Sequence, residues 1–129
     1  MRPEFLLLMA AALCVITAAA HSVLGEQRLL APLFAVDSPI TRSVFARRVL
    51  RFAWHWTSAV WVLVAAVLAL SAHGYIDAPL LIAAIGAVHL IAGIADGILT
   101  RGQHIGWPLI TIIGVLALLA AYPSLQDII

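Results

Sequence analysis

The chain has 129 residues, which is room for one domain. It is 64% apolar and 10% charged, against about 45–50% and about 25% in soluble proteins; this excludes an ordinary soluble domain and predicts an all-α integral membrane protein. The net charge is +1, there is no lysine, and six of the seven arginines fall in two connecting segments. That placement speaks of membrane orientation and argues against a nucleic-acid surface. A lone cysteine, Cys14, excludes an internal disulfide and argues against thiol-exchange chemistry.

Four charge-free intervals follow one another: Phe5–Gly25, Phe52–Ile76, Ala78–Ala95 and Gly102–Gln126. A spanning helix needs about 20 mainly apolar residues. The intervals therefore predict a bundle of four transmembrane helices, near 4–26, 50–73, 78–100 and 105–122, in a single domain. Pro3 suits a first helical turn, Asp77 with Pro79 marks a helix start, and Pro123 is expected to close the last helix. His73-Gly74-Tyr75 ends the second span and leaves a tight connection to the third.

The first connection carries Arg28, Arg42, Arg47, Arg48 and Arg51, and the third carries Arg101, whereas the opposite side has only Arg2. By the positive-inside rule both arginine-bearing loops face the cytoplasm and both termini lie on the non-cytoplasmic side. Trp54, Trp56, Trp61 and Trp107 cluster toward the arginine end, while Tyr75 and Tyr122 mark the other. Ala18-Ala19-Ala20 resembles a signal-peptide cleavage site, but cleavage there would leave the arginine-rich segment outside, so an uncleaved first span is expected. Arg47, Arg48 and Arg51 stand among apolar residues at helical spacing, which extends span two as an amphipathic turn along the headgroups.

A faint duplication runs through the chain. Val67-Leu68-Ala69-Leu70 in span two matches Val115-Leu116-Ala117-Leu118 in span four, each preceded by an arginine and then a histidine. The pattern hints at two hairpins related as parallel repeats, a match that low-complexity apolar sequence also yields by chance.

Four ionisable residues interrupt the apolar runs: His21, His55, His89 and Asp96. Such groups are costly inside a bilayer and point to function by default. At about 1.5 Å per residue, His21, His55 and Asp96 share one level about 6–7 Å inside the arginine-bearing surface, and His89 lies about 10 Å deeper. At 100° per residue, span one aligns Cys14, Thr17, His21, Gly25 and Arg28. Span two aligns Arg48, Arg51, His55 and Ser58, and span three aligns Gly86, His89, Gly93, Asp96 and Thr100. Gly93 and Gly97 also form a GxxxG, the pattern that lets helices approach closely. These stripes predict a polar pocket open to the cytoplasm, built on His21, His55, His89 and Asp96. Glu26, Arg51, Ser58, Arg101 and His104 form its rim.

Several chemistries fit such a pocket. Imidazoles with a carboxylate bind metal ions, with His21, His55 and Asp96 as the candidate ligands, although no HExxH or CxxC spacing is present. Two facing histidines, His21 and His55, match the way haem b is held between helices. A small polar or lipid head group is the third candidate ligand, and an enzyme acting on a lipid the fourth reading. A proton-coupled transporter would use His104, Asp96 and His89 as a relay, which stops at mid-membrane. The remaining reading is an accessory subunit whose polar stripes meet a larger membrane protein or a second copy of the chain.

The run His21-Ser-Val-Leu-Gly-Glu26, with Arg51-Phe-Ala-Trp-His55-Trp-Thr-Ser58 after an arginine-rich loop, resembles short bacterial four-span inner-membrane proteins of uncharacterised function. The likeness covers most of spans one and two. It implies a bacterial inner (plasma) membrane location and no particular activity.

Overall fold

The computed structural model describes residues 2–126, with side chains described to Pro123. Every element among the described residues is helical: α1 (Pro3–Gly25), α2 (Ala31–Ala35), α3 (Pro39–Arg42), α4 (Val44–Ala72), α5 (Pro79–Leu99) and α6 (Trp107–Gln126). Three stretches are long and apolar enough to cross a membrane: Pro3–Ala35, Val44–Ala72 and Pro79–Leu99. The apolar part of α6, Trp107–Pro123, is shorter.

The helix boundaries have local causes. Pro3 and Pro79 occupy first-turn positions, where a missing N–H costs nothing. Helix α4 ends where Gly74 takes φ +76° and the Tyr75 N–H bonds back to the Leu70 carbonyl at 2.9 Å. The same closure ends α5, with the Gly102 N–H on the Gly97 carbonyl at 2.8 Å, but there a non-glycine residue, Arg101, holds φ +53°. Pro123 does not close the last helix: it lies inside α6, which continues to Gln126. One missing N–H so near a helix end is tolerated.

The first rod outruns its expected end in spite of another proline. Pro32 lacks an N–H and its ring would press on the carbonyl four residues back, at Arg28. A π-helical turn over Glu26–Leu30 takes up the strain, and the Ala31 N–H reaches the Glu26 carbonyl instead. The helical path thus continues to Ala35. A strap then leads into α4. Ser38 and Thr41 cap α3 reciprocally, and the Thr41 hydroxyl also donates to the Val36 carbonyl. Arg42 clasps Asp37 through two hydrogen bonds of 2.5 Å. The amphipathic extension of span two is present as the first turns of α4, whose N-cap is Ser43.

Helix α1 packs on α4, α5 on α6, and the two hairpins join through α1 and α6. A two-fold relation between hairpins would pair α4 with α5 as it pairs α1 with α6, yet only the latter pair is in extensive contact. The order across the bundle is therefore α4, α1, α6, α5.

The core lies at the end away from the arginines. There Leu6, Leu7, Ala10, Ala11 and Cys14 of α1 meet Ala65, Leu68 and Ala72 of α4, Ile82 of α5, and Ile113, Ala117, Ala120 and Ala121 of α6. Most of these side chains are small, so the backbones come close. Helices α5 and α6 are closer still. A Cβ on Gly114 would stand 2.4 Å from the Leu90 nitrogen, and one on Gly93 would stand 2.6 Å from the Thr111 nitrogen. Backbone atoms cannot yield as a side-chain tip can.

Two predictions follow from this packing. Gly114→Ala should separate α5 from α6 and lower stability by about 1–3 kcal/mol, the usual cost of overpacking, as read by thermal unfolding in mild detergent. Ala92→Leu, at an exposed site on α5, should leave the midpoint unchanged. In the strap, the Arg42 guanidinium holds the Asp37 carboxyl below its ordinary value, against a smaller opposing effect of burial. A depressed carboxylate stabilises the fold above its unfolded pKa of about 3.9 and loses that contribution as pH falls through the lower folded value. Hydrogen-exchange protection of residues 36–42, corrected for intrinsic rates, should be flat from about pH 5 to 8 and fall below about pH 4. Asp37→Asn should remove that pH dependence.

Candidate functional site: a cleft between the first and last helices

Close packing at one end leaves the helices farther apart at the other, and a cleft of about 370 Å³ opens there between α1 and α6. Its walls are mostly apolar, with Leu24, Leu109 and Ile110 among them; Trp54 and Trp61 reach in from α4. Its polar lining comes from Thr17, His21, Arg28, Gln103 and His104. Thr17, His21, Gly25 and Arg28 are consecutive members of the α1 polar stripe.

His21 is fixed from three sides. Its ring stacks on Trp54, with centroids 4.2 Å apart and planes 7° from parallel, and meets Trp61 edge-on at 5.2 Å. The Trp54 indole N–H donates to the His21 carbonyl at 2.9 Å. The Thr57 hydroxyl donates to the Trp54 carbonyl at 2.7 Å, so its oxygen is left to accept from His21 Nε2–H at 2.9 Å. This assigns the proton to Nε2 and leaves Nδ1 open. Gly25 makes the stack possible: a Cβ there would lie 2.1 Å from the Trp54 indole nitrogen.

His55 belongs to a second network on the same helix pair. The Ser22 hydroxyl lies 2.6 Å from His55 Nδ1, and Glu26 lies 3.5 Å from His55 Nε2. A carboxylate only accepts, so Nε2–H points to Glu26 and Nδ1 accepts from Ser22. Arg51 holds the same carboxylate at 2.6 Å and spreads over the Phe34 ring at 5.1 Å. Both nitrogens of His55 are engaged, and Trp54 covers one face of His21. Of the four ring nitrogens, His21 Nδ1 alone has no partner among the described residues.

Asp96 turns to its own loop. Its carboxylate accepts from His104 Nδ1 at 2.5 Å, and Thr100 donates to the Asp96 carbonyl at 2.6 Å. The left-handed residues Arg101 and Gly102 fold the chain back so that His104 reaches over the end of α5. His104 lines the cleft; Asp96 stands behind it.

His89 lies elsewhere. It is buried on α5, its Nδ1–H donates to the Ile85 carbonyl at 2.8 Å, and its Nε2 is buried without a partner among the described residues. Ser58 is likewise buried with an unpartnered hydroxyl. Arg101 is exposed and outside the cleft.

The four residues expected to share one pocket are thus divided. His21 lines the cleft, Asp96 supports it through His104, His55 ties α1 to α4, and His89 sits in the packing of α5. Among the described residues no group of three or more His, Cys, Asp or Glu side chains is placed to hold a metal ion, so His21, His55 and Asp96 do not form one ligand set. Sequence reasoning gave no role to Ser22 or Thr57, and placed Gly25 on the His21 stripe without foreseeing that it seats Trp54.

Comparison of the chain with protein-family models, curated proteins and solved structures finds no match.

Gly25→Ala should push Trp54 off His21. The expected result is loss of the near-ultraviolet dichroism of the stacked indole and destabilisation of about 1–3 kcal/mol. Ala19→Ser, at an exposed α1 site, should change neither.

Proposed function

We propose that this chain is a small four-span membrane protein that binds a small polar or lipid head-group ligand in the cleft between α1 and α6. The observation that carries the reading is the composition of that cleft. Apolar and aromatic walls enclose about 370 Å³, and a few convergent polar groups, His21, Arg28 and His104, sit on them. Ligand sites are typically apolar hollows of about 300–1,000 Å³ with sparse, placed polar groups.

The membrane setting rests on three helices of spanning length and on the exposed apolar surface of the bundle. It also rests on the one-sided arginine distribution, which puts the cleft at the cytoplasmic end and both termini outside. Phe52 and Trp56, stacked and exposed near the arginines, suit the headgroup level on that side. The resemblance in spans one and two favours a bacterial inner membrane. The head-group reading takes precedence over metal and haem because the lining offers isolated polar groups on apolar walls.

Titration of the purified protein with a brominated single-chain amphiphile tests this. Bromine quenches tryptophan at short range, and Trp54 and Trp61 line the cleft. Quenching should saturate at low occupancy, and Ala20→Phe, which fills the cleft from α1, should abolish the saturable phase. Non-saturating quenching, identical in both proteins, would reduce the cleft to ordinary lipid contact.

A further inference from the structure

The polar groups of the cleft differ in what they have left to offer. Arg42 and Arg51 each hold a carboxylate, whereas Arg28 makes no hydrogen bond or ion pair with any described residue. One guanidinium at the wall is therefore available to an anion. The two imidazoles offer the opposite. Thr57 accepts from His21 Nε2–H and Asp96 accepts from His104 Nδ1–H, so in its neutral form each ring presents a lone pair, on His21 Nδ1 and His104 Nε2. A bare anion would meet those lone pairs unfavourably. A head group that also carries O–H donors satisfies both kinds of group.

A third group lies deeper. Thr17 is 4% exposed, lines the cleft, and its hydroxyl has no hydrogen-bond partner among the described residues. It stands one helical turn, about 6 Å, from His21 toward the bundle core. A buried hydroxyl without a partner is costly, and an acceptor arriving from the cleft would relieve it. On the α6 side the walls are Leu109 and Ile110, while Leu24 lies about 10 Å nearer the open end.

We propose that the cleft takes a monoacyl glycerophosphate-type lipid whose head carries free hydroxyls. Its phosphate would lie on Arg28, its hydroxyls on His21 and His104, its ester carbonyl on the Thr17 hydroxyl, and its single chain along the leucine and isoleucine wall. The assignment rests on the cleft-binding reading above and names its ligand class. A volume near the lower end of the ligand-site range favours one chain over two.

Displacement of the brominated probe by four competitors tests the assignment: lysophosphatidylglycerol, a monoacylglycerol of the same chain length, an alkyl sulfate of similar length, and glycerol phosphate alone. Lysophosphatidylglycerol should displace at about tenfold lower concentration than the monoacylglycerol, which lacks the anion, and than the alkyl sulfate, which lacks hydroxyls; this is the loss expected when one charge-assisted or buried hydrogen bond goes unmade. Glycerol phosphate should not displace. Arg28→Gln should erase the advantage over the monoacylglycerol, and Arg28→Lys should keep part of it. Thr17→Val should weaken lysophosphatidylglycerol and the monoacylglycerol alike and leave the alkyl sulfate unchanged. Equal displacement by all three amphiphiles would overturn the ligand class while leaving the cleft as an apolar site. Displacement by glycerol phosphate would assign the site to a free solute. Absence of any saturable probe binding would overturn the cleft reading itself.

Discussion

Close approach of small residues at one end of the bundle is the constraint from which the rest of this structure follows. Alanines at 10, 11, 65, 72, 117, 120 and 121, with Cys14, form most of the core in which α1 packs on α4 and on α6. In the membrane setting proposed for this chain no hydrophobic driving force separates helix from lipid, so packing of this kind and interhelical hydrogen bonds would supply the association. Helices drawn together at one end diverge at the other where larger side chains intervene. Trp54 and Trp61 are those side chains, and the cleft is the space they prop open beside α6.

Polar groups at the open end are mostly satisfied in small sets. Ser22, His55, Glu26 and Arg51 form one set, His21, Thr57 and the Trp54 backbone a second, and Asp96, Thr100 and His104 a third. The first two each bridge α1 and α4; the third stays within α5 and its following loop. None of these three sets spans the α1–α6 seam, along which the cleft runs. Thr17 and Arg28, which face the cleft, have bonding capacity left over.

Much of the helical framework was legible in the chain. Hydropathy located the apolar rods, Pro3 and Pro79 marked their starts, and the Gly86–Gly93 stripe is the surface on which α6 packs. Pro123 was misleading, because a proline signals a break only where the helix has no other way to absorb it; it is accommodated by its place near an end, as Pro32 is by a π turn. Depth arithmetic set His21, His55 and Asp96 at one level. It could not say how each helix is rotated against its neighbour. That rotation depends on which small residue meets which, as Gly114 meets Leu90, and a single sequence period is silent on it. His104 and Asp96 were placed together as members of one relay, but the left-handed turn at Arg101 that joins them was not foreseen, because an arginine does not announce that conformation.

The pairing of α1 with α6 has a consequence for how the protein is made. A chain inserted from its N-terminus presents α1 first and α6 last, so the two helices that build the seam are the two most distant in time. In the proposed membrane the α1–α4 hairpin would assemble early, on contacts fewer than about 70 residues apart, while the alanine and Cys14 surface of α1 would face lipid or a temporary companion until the final helix arrives. Substitutions along the α6 face at Ile113 or Ala117 would then leave a complete first hairpin stranded in the bilayer, and their first symptom would be degradation during synthesis instead of a lowered melting point in the finished protein.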